Sequence, residues 1–402
     1  MGRRPSQVYV LCFISVEVHL NTRFSSKGED NHDYKNVNVY GEDRTFTPGE
    51  VIIEDGLFAA SASDESEIID GEGCYAIPGL IDIHFHGCMG YDSCDGTQEA
   101  LEKIAEYEAS VGVTTICPAT MTLPVDTLEE ILRNAADYKN ESGARLVGLN
   151  MEGPFISPEK KGAQDEHYIV SCDANIYRRF QNAANGLVKF VGIAPERDVE
   201  GAVKFIREVK DEVTVSLAHT NADYDAAKAA YDAGARHAVH LYNAMPAFSH
   251  RAPGVIGAAH DCKECMVELI CDGVHIHPSV VRATFDMFGA DRICMISDSM
   301  RATGMPDGRY TLGGLDVDVV GNRATLASNG ALAGSATNLA DCMRVAVKDM
   351  HIPLEDVVGC VTINPAKALK LDDRYGSIAP GKIGNLVLLD KDLNLKKVII
   401  NG

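Results

Sequence analysis

Pro78-Gly79-Leu80-Ile81-Asp82-Ile83-His84-Phe85-His86-Gly87 opens with a turn, runs through a short apolar stretch and closes on two histidines one residue apart. Side chains alternate along a strand, so His84 and His86 point the same way and Phe85 points opposite. Seven more apolar runs follow: Thr114–Ala119, Leu146–Glu152, Leu187–Ala194, Thr214–His219, Ala238–Tyr242, Met266–Asp272 and Ile293–Asp298. Stretches with helical spacing, such as Glu99–Ser110, Leu128–Tyr138, Ala222–Ala233 and Ser279–Phe288, separate most of them. Strand–helix alternation implies a parallel sheet, and eight units within roughly 250 residues fit an α/β fold closed as a (β/α)8 TIM-type barrel. An open doubly wound sheet is the rival. It is weakened because no glycine-rich phosphate fingerprint follows the first run.

Outside the barrel segment, expected at 79–365, the pattern changes. Lys35–Tyr40 and Glu50–Glu54 alternate like strands, and Asp55-Gly56 marks a turn. The far end mirrors them with Leu386–Leu389 and Lys397–Ile400. The two chain ends, 35–78 plus 366–402, therefore predict one small β-sandwich domain. Residues 1–34 read as an extension of unknown role, because Glu17 closes off the apolar stretch that contains Val8–Ile14 and no clear small-residue cleavage site follows, as a secretory signal would need.

The chain has 402 residues, 46% of them hydrophobic and 24% charged, an ordinary globular composition. No apolar run is long enough to span a bilayer, so no membrane association is expected. A net charge of −21 argues against nucleic acid as a partner, and any anionic ligand has to be met by local cations. The 12 cysteines are scattered, as in a cytoplasmic protein with reduced thiols. Cys262 and Cys265 form a lone CxxC, read as two packed or surface thiols.

In a barrel of this kind the chemistry sits at the C-terminal ends of the strands. The first run ends on His84 and His86, the third on Glu152 and the fifth on His219; the sixth carries His240 and the eighth ends on Asp298. Any one of these is more often a bonded core residue or a cap. Their coincidence at one end of the barrel points to a divalent metal held by imidazole and carboxylate, with zinc the first expectation and iron or another transition ion the alternative. Asp298 is a carboxylate of the kind that serves as a general base. His19, His32, His237, His260 and His351 lack that placement and read as ordinary.

The segment from Pro78 to Gly87 resembles the first-strand signature of the amidohydrolase superfamily. Asn150-Met151-Glu152-Gly153-Pro154-Phe155, His240-Leu241-Tyr242-Asn243-Ala244-Met245 and Ser297-Asp298-Ser299-Met300 narrow the resemblance to its N-acetylglucosamine-6-phosphate deacetylase family. Gly330–Ser335 and Asn364-Pro365-Ala366 extend it over most of the chain from about Lys35 onward. That resemblance implies hydrolysis of the acetamide of a sugar phosphate, with Asp298 moving the proton from water to the leaving amine. It implies a principal metal on Glu152, His219 and His240, and a second on His84 and His86 with Glu152 between them, so one or two ions per subunit. Some members carry Gln-x-Asn in place of the first-strand pair and hold one metal; this chain keeps both histidines. The family's Lys-Lys-Gly-x-His, whose His lies near the scissile carbonyl, is here Lys160-Lys161-Gly162-Ala163-Gln164, which makes Gln164 the expected carbonyl donor. Asn243, the Ala244 amide and His275 match positions that contact the sugar phosphate. Arg251 matches a phosphate-binding arginine that reaches the neighbouring subunit, which implies a homodimer.

Two other readings remain. One is a different amidohydrolase, a cyclic-amide hydrolase or a deaminase; many cyclic-amide hydrolases use a carboxylated lysine at the fourth strand, where this chain has Ile193-Ala194-Pro195-Glu196. The other is a barrel without catalysis that acts as a binding protein. Such a protein would be expected to have lost ligands.

Overall fold

Eight parallel strands form a ring in chain order: β1 (Leu80–Asp82), β2 (Val113–Ile116), β3 (Leu149–Phe155), β4 (Val188–Ile193), β5 (Thr214–Leu217), β6 (His237–Ala238), β7 (Met266–Ile270) and β8 (Ile293–Ile296). These belong to a computed structural model that describes residues 17–20, 31–140 and 142–401. All eight fall within the apolar runs of the sequence or overlap them. Each residue of β2 and β8 is buried, as expected for strands covered on both faces, and this is why they read as unbroken apolar runs. Parallel ladders join β3 through β8 in order, and β1 pairs with β2. Ala119-Thr120, just past β2, pairs with Asn150-Met151 of β3. The ring closes at the strand ends, where the Asp298 amide donates to the His84 carbonyl at 3.0 Å and the His86 amide to the Ser299 carbonyl at 2.7 Å.

Helices return the chain between strands, and short polar side chains start them. Thr97 accepts from the Ala100 amide ahead of helix Gln98–Ser110, Asp198 from Gly201 ahead of Val199–Val209, and Asp223 from Ala226 ahead of Tyr224–Ala233. In Val199–Val209 the buried residues are Ala202, Phe205, Ile206 and Val209, one stripe of a 3.6-residue period. The barrel interior is filled by Ile81, Ile83, Phe190, Ile270 and Ile296, packed with Ala366, Leu369 and Tyr375 from near the end of the chain. Phe190→Ala should cost about 3–5 kcal/mol of stability, the usual range for deleting a buried ring. Denaturant unfolding would read it, and a loss below about 1 kcal/mol would mean the interior refills.

Both chain ends meet in one eight-stranded sheet, ordered Glu17–Leu20, Leu395–Ile400, Leu386–Leu389, Tyr75–Pro78, His32–Tyr40, Phe46–Glu54, Leu57–Ala59, with Glu67–Asp70 also on His32–Tyr40. The first long strand starts at His32, three residues before the alternation suggested. A register shift between Tyr34 and Val37, with Asn36 at φ 55°, breaks the two-residue period there. Most of the 1–34 extension lies outside the described residues, although Glu17–Leu20 pairs in parallel with Leu395–Ile400. After β8 the sequence reading missed a three-stranded antiparallel sheet, Gly308–Leu312, Leu315–Val320 and Arg323–Leu326. Its Leu312, Val317 and Val319 pack with Met121 and Ala163 beside the C-terminal mouth of the barrel.

Candidate metal and catalytic centre

The C-terminal ends of β1, β3, β5, β6 and β8 bring His84, His86, Glu152, His219, His240 and Asp298 to one place. Two groups of side-chain atoms converge closely enough to hold an ion: His84, His86 and Glu152, and Glu152, His219 and His240. Glu152 belongs to both. Its Oε1 lies 2.9 Å from His219 Nε2, 3.0 Å from His240 Nε2 and 3.3 Å from His84 Nε2; its Oε2 lies 3.4 Å from His86 Nε2. Asp298 Oδ1 lies 3.4 Å from His86 Nε2.

The outer hydrogen bonds fix which nitrogen faces inward. His84 Nδ1 meets Glu268 Oε2 at 2.8 Å, His219 Nδ1 meets the Lys160 carbonyl at 2.8 Å and His240 Nδ1 meets the Asn243 carbonyl at 3.1 Å. Each partner can only accept, so each Nδ1 carries the proton and each Nε2 turns a lone pair inward. His84 Nε2 is buried with no hydrogen-bond partner among the described residues. Lone pairs converging on a carboxylate oxygen repel unless a cation lies among them. The donor set of imidazole nitrogen and carboxylate oxygen therefore fits a divalent transition ion.

Burial alone would raise the Glu152 carboxyl, but positive charge on His219 and His84 outweighs it and holds the group well below its ordinary range; a bound cation would supply that charge with the imidazoles neutral. Burial likewise opposes ionisation of Asp298, and the hydrogen bond and charge of His86, with His84, hold that carboxyl low. Asp298 is thus a carboxylate at neutral pH, as a base must be. The backbone is strained at the same residues. His219, His240 and Asp298 adopt φ of 43°, 27° and 49°, a left-handed region costing about 1–3 kcal/mol for residues other than glycine. Tyr242 and Ala244 share it at 78° and 50°.

A cavity of about 350 Å3 opens over this centre, and Asn243, Ala244, His275, Gln164 and Asp298 line it. His275 is held by Asp272, Nδ1 to Oδ2 at 2.7 Å. Gln164 does more than the sequence suggested. Its Oε1 accepts the Thr122 amide at 2.5 Å, and its Nε2 donates to Glu152 Oε2 at 2.7 Å, so it grips the shared carboxylate while facing the cavity. Arg251 is not brought to the cavity of its own chain; it is exposed, with Nη1 2.8 Å from His250 Nε2. Among the described lining residues, Lys160 alone carries a permanent positive charge.

The reading of strand ends missed Glu268 and His237. Glu268 sits inside β7 and His237, taken as ordinary, begins β6; the two are joined at 2.9 Å and buried behind His84. A carboxylate in the middle of the apolar run Met266–Asp272 was the available signal, because such a group is buried only when it is matched.

The amidohydrolase family profile matches residues 75–402. The chain belongs to the amidohydrolase family. Within it, this amidohydrolase is 36% identical to the N-acetylglucosamine-6-phosphate deacetylase of Bacillus subtilis (strain 168), over 92% of this chain and 95% of that one. It is 34% identical to the N-acetylgalactosamine-6-phosphate deacetylase of Escherichia coli O157:H7, over 87% and 93%. Among solved structures, a mutant N-acetyl-D-glucosamine-6-phosphate deacetylase from Mycobacterium smegmatis, in complex with N-acetyl-D-glucosamine-6-phosphate, superposes with a TM-score of 0.84 at 30% identity, covering 92% of this chain and 98% of that one. These relatives cover 87–92% of this amidohydrolase chain.

Proposed function

We propose that this amidohydrolase cleaves the acetamide of N-acetyl-D-glucosamine 6-phosphate, giving D-glucosamine 6-phosphate and acetate in amino-sugar catabolism. The observation that carries the reading is the pair of ligand groups sharing Glu152, with the ionised Asp298 beside them at the floor of the cavity. In this reading Glu152, His219 and His240 hold the principal ion and His84 with His86 the second, zinc being the first candidate. When bound, the ion supplies Lewis acidity that acidifies the attacking water and polarises the acetyl carbonyl. Asp298 takes the proton from that water as the carbonyl carbon is attacked. It then delivers the proton to the sugar nitrogen, so that the C–N bond breaks to a neutral amine and acetic acid, which gives up its proton to become acetate at neutral pH. Gln164, with one N–H on Glu152, has a second N–H for the carbonyl oxygen as negative charge develops there.

Asn243, the Ala244 amide and His275 would receive the sugar phosphate. Lys160 is a single lining cation and the phosphate is a dianion, which supports a homodimer in which Arg251 of one subunit completes the other's site. We further read 35–78 plus 366–402 as a small β-sandwich domain beside the barrel of 79–365. Val37, Val51, Ile53, Phe58, Leu386 and Ile399 give it an apolar core of its own, although Ala366–Tyr375 packs into the barrel. A cytoplasmic location suits the scattered cysteines, and no helix of the described residues is long and apolar enough to cross a membrane.

Acetate release from N-acetylglucosamine 6-phosphate, its unphosphorylated sugar and N-acetylgalactosamine 6-phosphate tests the proposal. The phosphorylated glucosamine derivative should give a kcat/KM at least about 100-fold above the free sugar, the worth of one or two charge-assisted contacts at ~1.5–3 kcal/mol each. Equal turnover of phosphorylated and free sugar would remove Arg251 from substrate binding. Preference for the galactosamine epimer would move the chain to the specificity named for the Escherichia coli relative.

A further inference from the structure

Glu268 is fully buried in the middle of β7 and belongs to neither group of converging ligands. A carboxylate taken out of water costs several kcal/mol unless it is matched. Three N–H donors match it here. Oε2 accepts from His84 Nδ1 at 2.8 Å and from the backbone N–H of His240 at 3.0 Å, and Oε1 accepts from His237 Nε2 at 2.9 Å.

The two contacts of Oε2 reach different ligand groups. His84 belongs to the group of His86 and Glu152, and His240 to that of Glu152 and His219. At His84 the carboxylate sets the tautomer, leaving Nε2 for an ion. At His240 it anchors the amide of a residue held at φ 27°, where the backbone would otherwise relax. We propose that Glu268 is a positioning residue that couples the two ion positions, one carboxylate oxygen fixing a ligand of each. The inference rests on the two-ion reading given above. Outer partners of metal-bound imidazoles typically contribute 10–100-fold in metal affinity. What distinguishes Glu268 is that its loss reaches both positions.

The test titrates zinc into the metal-free full chain and reads affinity with a chromophoric chelator. Wild type should take up two zinc ions. Glu268→Leu, which leaves His84 Nδ1 and the His240 amide without their acceptor, should weaken the His84/His86 position by about 10–100-fold. It should also weaken the other position, read separately by adding it to a His84→Ala background. Glu268→Gln keeps an oxygen for His84 and His240 if His237 exchanges its tautomer, so it should restore much of the affinity. Excess zinc should restore most of kcat in Glu268→Leu, as expected of a group that touches no reacting atom. Two zinc ions in wild type with both affinities unchanged in Glu268→Leu, or a loss confined to one position, would overturn the coupling alone. A single zinc in wild type would overturn the two-ion reading and the coupling with it. If Glu268→Leu does not fold, Glu268→Met, which also lacks a carboxylate acceptor, carries the test, and zinc affinity equal to wild type at both positions in it would overturn the proposal.

Discussion

Asp298→Asn is expected to lower kcat by at least ~100-fold while zinc content stays near that of wild type. The substitution keeps the shape of the side chain at the floor of the cavity and removes its basicity. The Asp298 amide, which closes β8 onto β1 through the His84 carbonyl, is untouched, so ring and ligands should hold. The amide of Asn cannot take a proton from water or return one to the leaving nitrogen, so both halves of the transfer fail together. A single-turnover assay with metal analysis on the same sample decides it. Near-normal turnover with full metal content would remove Asp298 from proton transfer.

Glu152→Ala should have the larger effect. This carboxylate is the one group common to both ligand sets, and its Oε1 has three imidazole nitrogens within 3.3 Å. Removing it takes a ligand from each position and leaves the imidazoles facing one another. Zinc retained after dialysis should fall to background. The accompanying loss of Lewis-acid stabilisation, several kcal/mol, should lower kcat by roughly 1000-fold or more. His84→Ala, by contrast, touches one set and should leave the other binding. A Glu152→Ala protein that keeps both its metal and its turnover would dismantle the proposed centre.

The strands of the barrel were legible in the sequence because a strand covered on both faces has little choice but to be apolar, and a polar residue ending such a run stands out. His84, His86, Glu152, His219, His240 and Asp298 were found that way, and the fold brings them within a few ångströms. Glu268 was hidden for a complementary reason: it lies inside its run, and a search of the ends passes over it. The hairpin layer from Gly308 to Leu326 was missed because it pairs by local turns, outside the strand–helix rhythm that betrayed the barrel. The role of Gln164 was half legible. The resemblance implies a place near the substrate, while its grip on Glu152 depends on the Thr122 amide, 42 residues away along the chain. Arg251 lies on the surface of a single chain, so the role the resemblance implies for it depends on the proposed second subunit.

The sheet shared by the two chain ends also has a cost in time. Tyr75–Pro78 finds its neighbour in Leu386–Leu389, and Tyr40 bonds to the carbonyl of Glu355, 315 residues on. A ribosome adding ~5–20 residues per second needs roughly 15–60 s to travel from the first of these strands to the second. Through that interval the early strand keeps an open edge able to pair with any passing chain. Newly made copies should therefore be most prone to clump during synthesis itself, and slowing translation between residues 78 and 386 should lower the soluble yield even though the finished molecule is unchanged.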